Sequence, residues 1–216
     1  LIEALKHAHL YGPVAPGPIA SLSCSGGEAS LMADGGDARG LTYAPLTAAQ
    51  DSALETVLGP LVTRANPLDY HTFIWNDAPR MAEVYAIMAS GPAALTVSVV
   101  DFPRPDRCET DAWDCGESAA MMARQQTGKP IALLSSLSES LPEDMAARLM
   151  QAGILPLHGL DAALDALAVI YGPRLPSDAD RPIPLPLPHI ETVIRDEAEA
   201  KASLTRCGLD VPRHVV

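Results

Sequence analysis

Apolar residues fall along this chain in two rhythms: short unbroken runs, and longer stretches in which they recur every three or four positions. The unbroken runs predict strands at Ile19–Leu22, Leu41–Ala44, Ala93–Phe102, Lys129–Ser135 and Ile154–Leu157. Ala93–Phe102 (AALTVSVVDF) is the strongest, β-branched and nearly continuous, as a strand buried on both faces requires. The helical rhythm predicts helices at Leu1–Tyr11, from near Glu28 to Gly40, at Ala48–Leu58, Asp77–Ser90, Glu117–Thr127, Pro142–Ala152 and Asp161–Tyr171. Caps and breakers support these ends: Thr47 before the third helix, Gly59-Pro60 after it, Ser140 with Glu143 before the sixth, and Gly128 and Gly153 as stops. Arg64–Trp75 (RANPLDYHTFIW) has neither rhythm, and its Asn-Pro predicts an extended, irregular turn. A last charged amphipathic helix is expected over Glu191–Gly208.

Strand and helix thus alternate about five times, the signature of a parallel sheet covered on both faces. The expected fold is α/β, a flavodoxin-like three-layer sandwich with a five-stranded parallel sheet in the order 2-1-3-4-5. Around it, residues 1–12 read as the closing helix of a preceding domain, whose Leu1, Ile2, Leu5 and Leu10 need a surface to cover. Residues 13–172 form the domain proper. Residues 173–188, with prolines at 173, 176, 182, 184, 186 and 188, read as a stiff polyproline spacer. Residues 189–216 read as the truncated start of another domain. The chain opens on Leu and stops mid-pattern at Val216, so a piece of a longer polypeptide is expected.

Composition narrows the partners. Of 216 residues 48% are hydrophobic and 4% aromatic, enough for an aliphatic α/β core. A formal net charge of −12 argues against a general binder of nucleic acid or anionic membranes. No apolar run is long enough to span a bilayer, and Leu1–Tyr11 carries charged residues at helical spacing, unlike a signal peptide. The four cysteines (24, 108, 115 and 207) lie far apart without ligand spacing, which speaks against zinc and for reduced thiols in a cytoplasmic protein.

Candidate chemistry concentrates in Ser23, Cys24, Ser25, Gly26, Gly27 and Glu28, a turn between the first strand and its helix. Glycines there allow positive φ and close backbone approach, and the free N–H groups of the helix start form an anion site without a basic side chain. The alternative is a plain strand–turn–helix junction. Ser23 and Ser25 offer hydroxyl donors. Cys24 sits where a helix start lowers a thiol pKa, but no histidine is near it in sequence, so packing is the better reading. Glu28 is the difficulty: a carboxylate about 6 Å from a phosphate repels it by roughly 3 kcal/mol at an effective dielectric near 20. Either it turns outward as an ordinary first-turn acid or the ligand differs. Asn66, Pro67 and Asp69 read as loop-structuring, and His71 and His158 as loop histidines. Asp106, Glu109, Asp111 and Asp114 form a solvated acidic loop with Mg²⁺ binding left open.

The order of these features resembles the NDP-forming acyl-CoA synthetases, the ADP-forming acetate–CoA ligases related to succinyl-CoA synthetase. The resemblance rests on Ser25-Gly26-Gly27 with Asp34, on Asn66-Pro67-Leu68-Asp69, on Lys129-Pro130, and on Gly153-Ile154-Leu155-Pro156. Glu197–Lys201, Cys207–Asp210 and Val211-Pro212 look like the opening of an ATP-grasp domain. The resemblance implies a reaction in which a carboxylic acid, CoA and ATP give acyl-CoA, ADP and phosphate through a phosphohistidine. That histidine lies in a Ser-His-Thr-Gly setting, which none of the six here (7, 9, 71, 158, 189 and 214) has. It further implies that ATP/ADP, Mg²⁺ and CoA serve the full-length protein while this fragment binds none of them and is inactive alone. Its partners would be the CoA-binding Rossmann, phosphohistidine and ATP-grasp domains of the same polypeptide, with further oligomerisation open. The role implied for residues 23–28 is to aim a helix N-terminus at the phosphohistidine, with no catalytic residue on this piece. An alternative from another class is a phosphate- or nucleotide-sensing regulatory module on the same fold. A Ser-His-Thr-Gly histidine upstream and an ATP-grasp domain downstream would separate the two.

Overall fold

A computed structural model describes residues 1–173 and 194–212. The chain divides into two compact units, Leu1–Leu175 and Pro176–Val216. Most of the expected polyproline spacer lies outside the described residues, as do the ends of the 189–216 segment.

The first unit is a five-stranded, all-parallel sheet in the order β2-β1-β3-β4-β5, flanked by helices on both faces. Its strands are β1 (Ala20–Ser23), β2 (Leu68–Asp69), β3 (Thr96–Val99), β4 (Ile131–Ser135) and β5 (Leu155–His158). Its helices are α1 (Ile2–Tyr11), α2 (Gly26–Asp37), α3 (Ala48–Leu58), α4 (Ala78–Ala89), α5 (Asp114–Thr127), α6 (Glu143–Gln151) and α7 (Leu160–Tyr171). This is the flavodoxin-like arrangement expected. The central strands β1, β3 and β4 are buried along their whole length, which is why they carry apolar runs rather than alternation. One core, with Leu22, Leu54, Tyr85, Met88, Ile131 and Leu133, fills the space toward α3 to α6. The other, with Ile19, Met32, Val97, Leu134, Leu164 and Leu167, fills the space toward α2 and α7.

The β2 edge departs from the sequence reading. Leu41–Ala44 makes only a single bridge, Tyr43 beside Ile19, and the ladder is completed by Leu68–Asp69 opposite Leu22–Ser23. The Asn66 side chain fills the gap between these two segments. Its Oδ1 accepts from Ser21 N at 2.9 Å, and its Nδ2 donates to Ile19 O and Ala44 O at 3.0 and 2.8 Å. An amide side chain here replaces the strand backbone that proline at 67 cannot supply.

Helix starts differ too. α2 begins at Gly26 rather than near Glu28, and neither Gly26 nor Gly27 has positive φ. Gly26 instead permits close approach: a Cβ there would stand 3.1 Å from Asp69 Oδ2. α3 has the expected Thr47 cap, in a capping box with Gln50. α6 starts after Pro142 without a side-chain cap, so Ser140 does not serve as one. α1 packs on α7 and β5 with Glu3 and His7 inward; of the four residues expected to be covered, Leu10 is partly buried against the core, whereas Leu1, Ile2 and Leu5 are exposed.

In the second unit, α8 (Glu197–Arg206) is capped by Asp196, whose carboxylate accepts from Glu199 N. No helix among the described residues is long and apolar enough to cross a membrane.

Candidate functional site

In a sheet of this order the chain leaves β1 for one neighbour and later returns to β3 on the other side, and the carboxyl ends of β1 and β3 are where sheets of this kind form their ligand crevice. The helix that follows β1 starts there. Ser25 is its N-cap, extended at φ −136° and ψ 126°, with no side-chain cap bond. The backbone N–H groups of Gly26, Gly27 and Glu28, the first turn of α2, have no carbonyl of their own helix to reach, and they carry the positive end of its dipole.

Ser23 does not contribute a free donor. It is buried, and its hydroxyl donates to Ser25 O at 2.9 Å, which sets the turn instead. Cys24 is half-buried, and burial together with the Glu28 charge pushes its thiol up to about 11. It stays protonated at neutral pH, so the helix start does not make it a nucleophile.

Three carboxyl groups converge on the crevice. Glu28, from the first turn of α2, does not turn outward: its Oε2 is buried without a hydrogen-bond partner. Burial, then the charges of Asp101 and Asp69, raise its pKa to about 7. Asp69, at the end of β2, accepts from His71 N at 2.8 Å and lies against Gly26. Asp101, just after β3, accepts from Ser136 N at 2.8 Å and from the Ser136 hydroxyl. The sequence reading passed over Asp101 and Ser136, although an acid closing a β-branched apolar run at the ligand edge is a usable signal.

His71 follows β2 at the same edge of the sheet. Its backbone has φ 58° and ψ −179°, a region that favours glycine, and its ring stacks on Phe73 with centroids 5.3 Å apart. Its Nδ1 is 3.9 Å from Asp69 Oδ2. Asn66 and Asp69 both bond to backbone, whereas His158 lies elsewhere, at the end of β5 beside α1. Farther along the same rim, Phe102, Pro105, Thr110, Asp114, Met145 and Arg148 line a cleft of about 230 Å³. Arg148 there is already engaged by Glu117 and Asp144, each at 2.8 Å. Of the acidic loop, Asp106 pairs with Arg104 at 2.8 Å. Among the described residues no group of three His, Cys, Asp or Glu side chains has the geometry to hold a metal ion.

No family model matches the chain, and no curated protein matches it. Solved structures do. PH0766 from Pyrococcus horikoshii OT3 is 19% identical with a TM-score of 0.61, over 79% of this chain and 40% of that one. The Ca. Korarchaeum cryptofilum dinucleotide forming acetyl-coenzyme A synthetase 1, in complex with phosphate and ADP, is 14% identical with a TM-score of 0.61, over 79% of this chain and 36% of that one. Its apo form matches at the same identity and TM-score over 37% of its length. At these identities the likeness is one of fold, and the chain spans less than half the length of the structures it matches.

Proposed function

We propose that this chain is the flavodoxin-type ligase domain of an NDP-forming acyl-CoA synthetase, and that the start of α2 receives a phosphorylated histidine from another domain of the same polypeptide. The observation that carries the reading is the place of that helix start. It opens on the crevice beyond β1 and β3, in a fold shared with an acetyl-coenzyme A synthetase solved with phosphate and ADP. Catalysis by this domain would be electrostatic: backbone N–H groups fixed before the reaction stabilise the phosphoryl charge, by up to about 2 kcal/mol in a partly buried setting.

Glu28 sets the condition on that role. Ionised, it opposes a phosphoryl anion. Protonated, its carboxyl hydrogen is a further donor to one of the phosphoryl oxygens. With a pKa of about 7 the group is divided between the two forms near neutrality, so phosphoryl binding should weaken as pH rises through that value.

The test is thioester formation by the full-length protein, with ATP, CoA and a panel of carboxylic acids, read as acyl-CoA, ADP and phosphate in equal amounts. Glu28→Gln should raise the rate of the phosphoryl step severalfold above about pH 7 and remove its decline with pH. A full-length protein that binds phosphate but makes no thioester from any acid would sink the ligase reading in favour of a phosphate-sensing module.

A further inference from the structure

α1 is held to the rest of its unit by polar groups. Glu3 and His7 are 7% and 2% exposed, whereas Leu1, Ile2 and Leu5 stand at 92%, 70% and 58%. At the N-terminal end, Lys6 Nζ lies 2.6 Å from Glu3 Oε2 and 2.9 Å from His158 Nδ1, and Glu3 Oε2 accepts from His158 N at 3.2 Å. In the middle, His7 Nε2 and the Tyr171 hydroxyl share a hydrogen bond of 2.7 Å. At the C-terminal end, the Tyr11 hydroxyl donates to Ile131 O and Gly153 O at 2.8 and 3.0 Å. Of the apolar residues of the helix, Leu10 and Tyr11, both partly buried, pack against the core. Hydrogen bonds contribute about 1 kcal/mol each after water is counted, so this helix opens more easily than the sheet beneath it.

The helix also covers an edge. Gly159 N donates to Ser135 O on β4, so in the alternating pattern of a strand the backbone polar groups of Pro156 and His158 face the outer edge, away from β4. Pro156 has no N–H, and that of His158 goes to Glu3.

We propose that α1 is an acid-released strap: protonation of His158 and His7 detaches it from β5 and α7 while the sheet stays folded. The Lys6 ammonium can only donate, so His158 Nδ1 must be bare to accept from it, and a proton there would set two cations 2.9 Å apart. Lys6 and Glu3 from α1 and the Leu141 backbone face His158; Glu3 and Leu141 favour the charged ring, but burial and Lys6 outweigh them and lower its pKa. His7 is faced by Tyr171 of α7 and Tyr11 of its own helix, and burial lowers its pKa below 6.5. A histidine with a lowered folded pKa binds fewer protons docked than free. Docking is therefore intact above about pH 6.5 and is lost as pH falls below it.

Hydrogen–deuterium exchange on the intact chain tests this, with labelling times scaled to the intrinsic rate. Between about pH 7.5 and about pH 5, residues 2–11 should lose roughly tenfold or more of their protection while β3 and β4 keep theirs. His7→Gln with His158→Gln should flatten that dependence. Should the double variant not fold, an NMR titration of the wild-type imidazoles decides in its place, with both pKa values expected below the free-histidine value. Protection of α1 that never changes with pH, that falls only together with β3 and β4, or histidines that titrate as free ones would overturn the strap.

Discussion

The carboxyl of Glu28 is the residue on which the crevice turns, because it is the acid there whose Oε2 is buried without a partner. Its pKa rises from 4.5 to about 7, so the folded state holds its proton more tightly than the unfolded one. Below about pH 4.5 the group is protonated in both states and its ionisation contributes nothing; above about pH 7 it is ionised in both, and the folded state carries the whole penalty of the charge. Wild-type stability should therefore decline as pH rises between those values. Glu28→Gln removes the charge and should stabilise the chain by about 1–2 kcal/mol above pH 7, after allowing for the water that reaches half the side chain. Urea unfolding of both proteins at acid and at neutral-to-alkaline pH measures this, with the two curves converging at the acid end. A constant difference at every pH would mean that shape rather than charge separates them.

Among the elements, the strands read best from sequence where burial was complete. Ala93–Phe102 and Lys129–Ser135 predict β3 and β4, because a strand covered on both faces leaves no room for polar alternation. β2 was not legible: two residues after a proline show no period, and their pairing depends on Asn66 bonding to Ile19, Ser21 and Ala44 across the fold. Asn66→Ala should accordingly cost about 2–3 kcal/mol in denaturant unfolding, since it strips three backbone groups of a partner at once. In the candidate site, the turn 23–28 was legible as a position. Its electrostatics were not, since Asp69 and Asp101 reach it only through the sheet. α2 illustrates the same limit. Alanine is a better helix former than glycine by about 1 kcal/mol, yet a Cβ on Gly36 would overlap the ring of Tyr43, whose hydroxyl donates to Met32 O. Gly36→Ala should lower stability by about 1–2 kcal/mol, and the same change in a Tyr43→Leu background should raise it instead. Unfolding of the four proteins of that cycle decides whether the glycine is kept for space.

At the scale of the whole first unit, one sheet serves two cores, and neighbouring residues of β4 belong to different ones. Ile131 and Leu133 lie in the core toward α3 to α6, Ala132 and Leu134 in the core toward α2 and α7. Both tryptophans of the chain, Trp75 and Trp113, pack against the first core, with ring centroids 6.2 Å apart. Their fluorescence thus reports one face only. Truncating a fully buried leucine removes transfer energy and leaves a cavity, about 3–5 kcal/mol together. Leu134→Ala acts wholly on the face that the tryptophans do not touch. If the shared sheet makes the two faces one cooperative body, that change should move the fluorescence transition in urea as far as it moves the helix signal in circular dichroism. Should the fluorescence midpoint stay at its wild-type value while the helix signal shifts, the two layers would be unfolding separately, each on its own side of the strands.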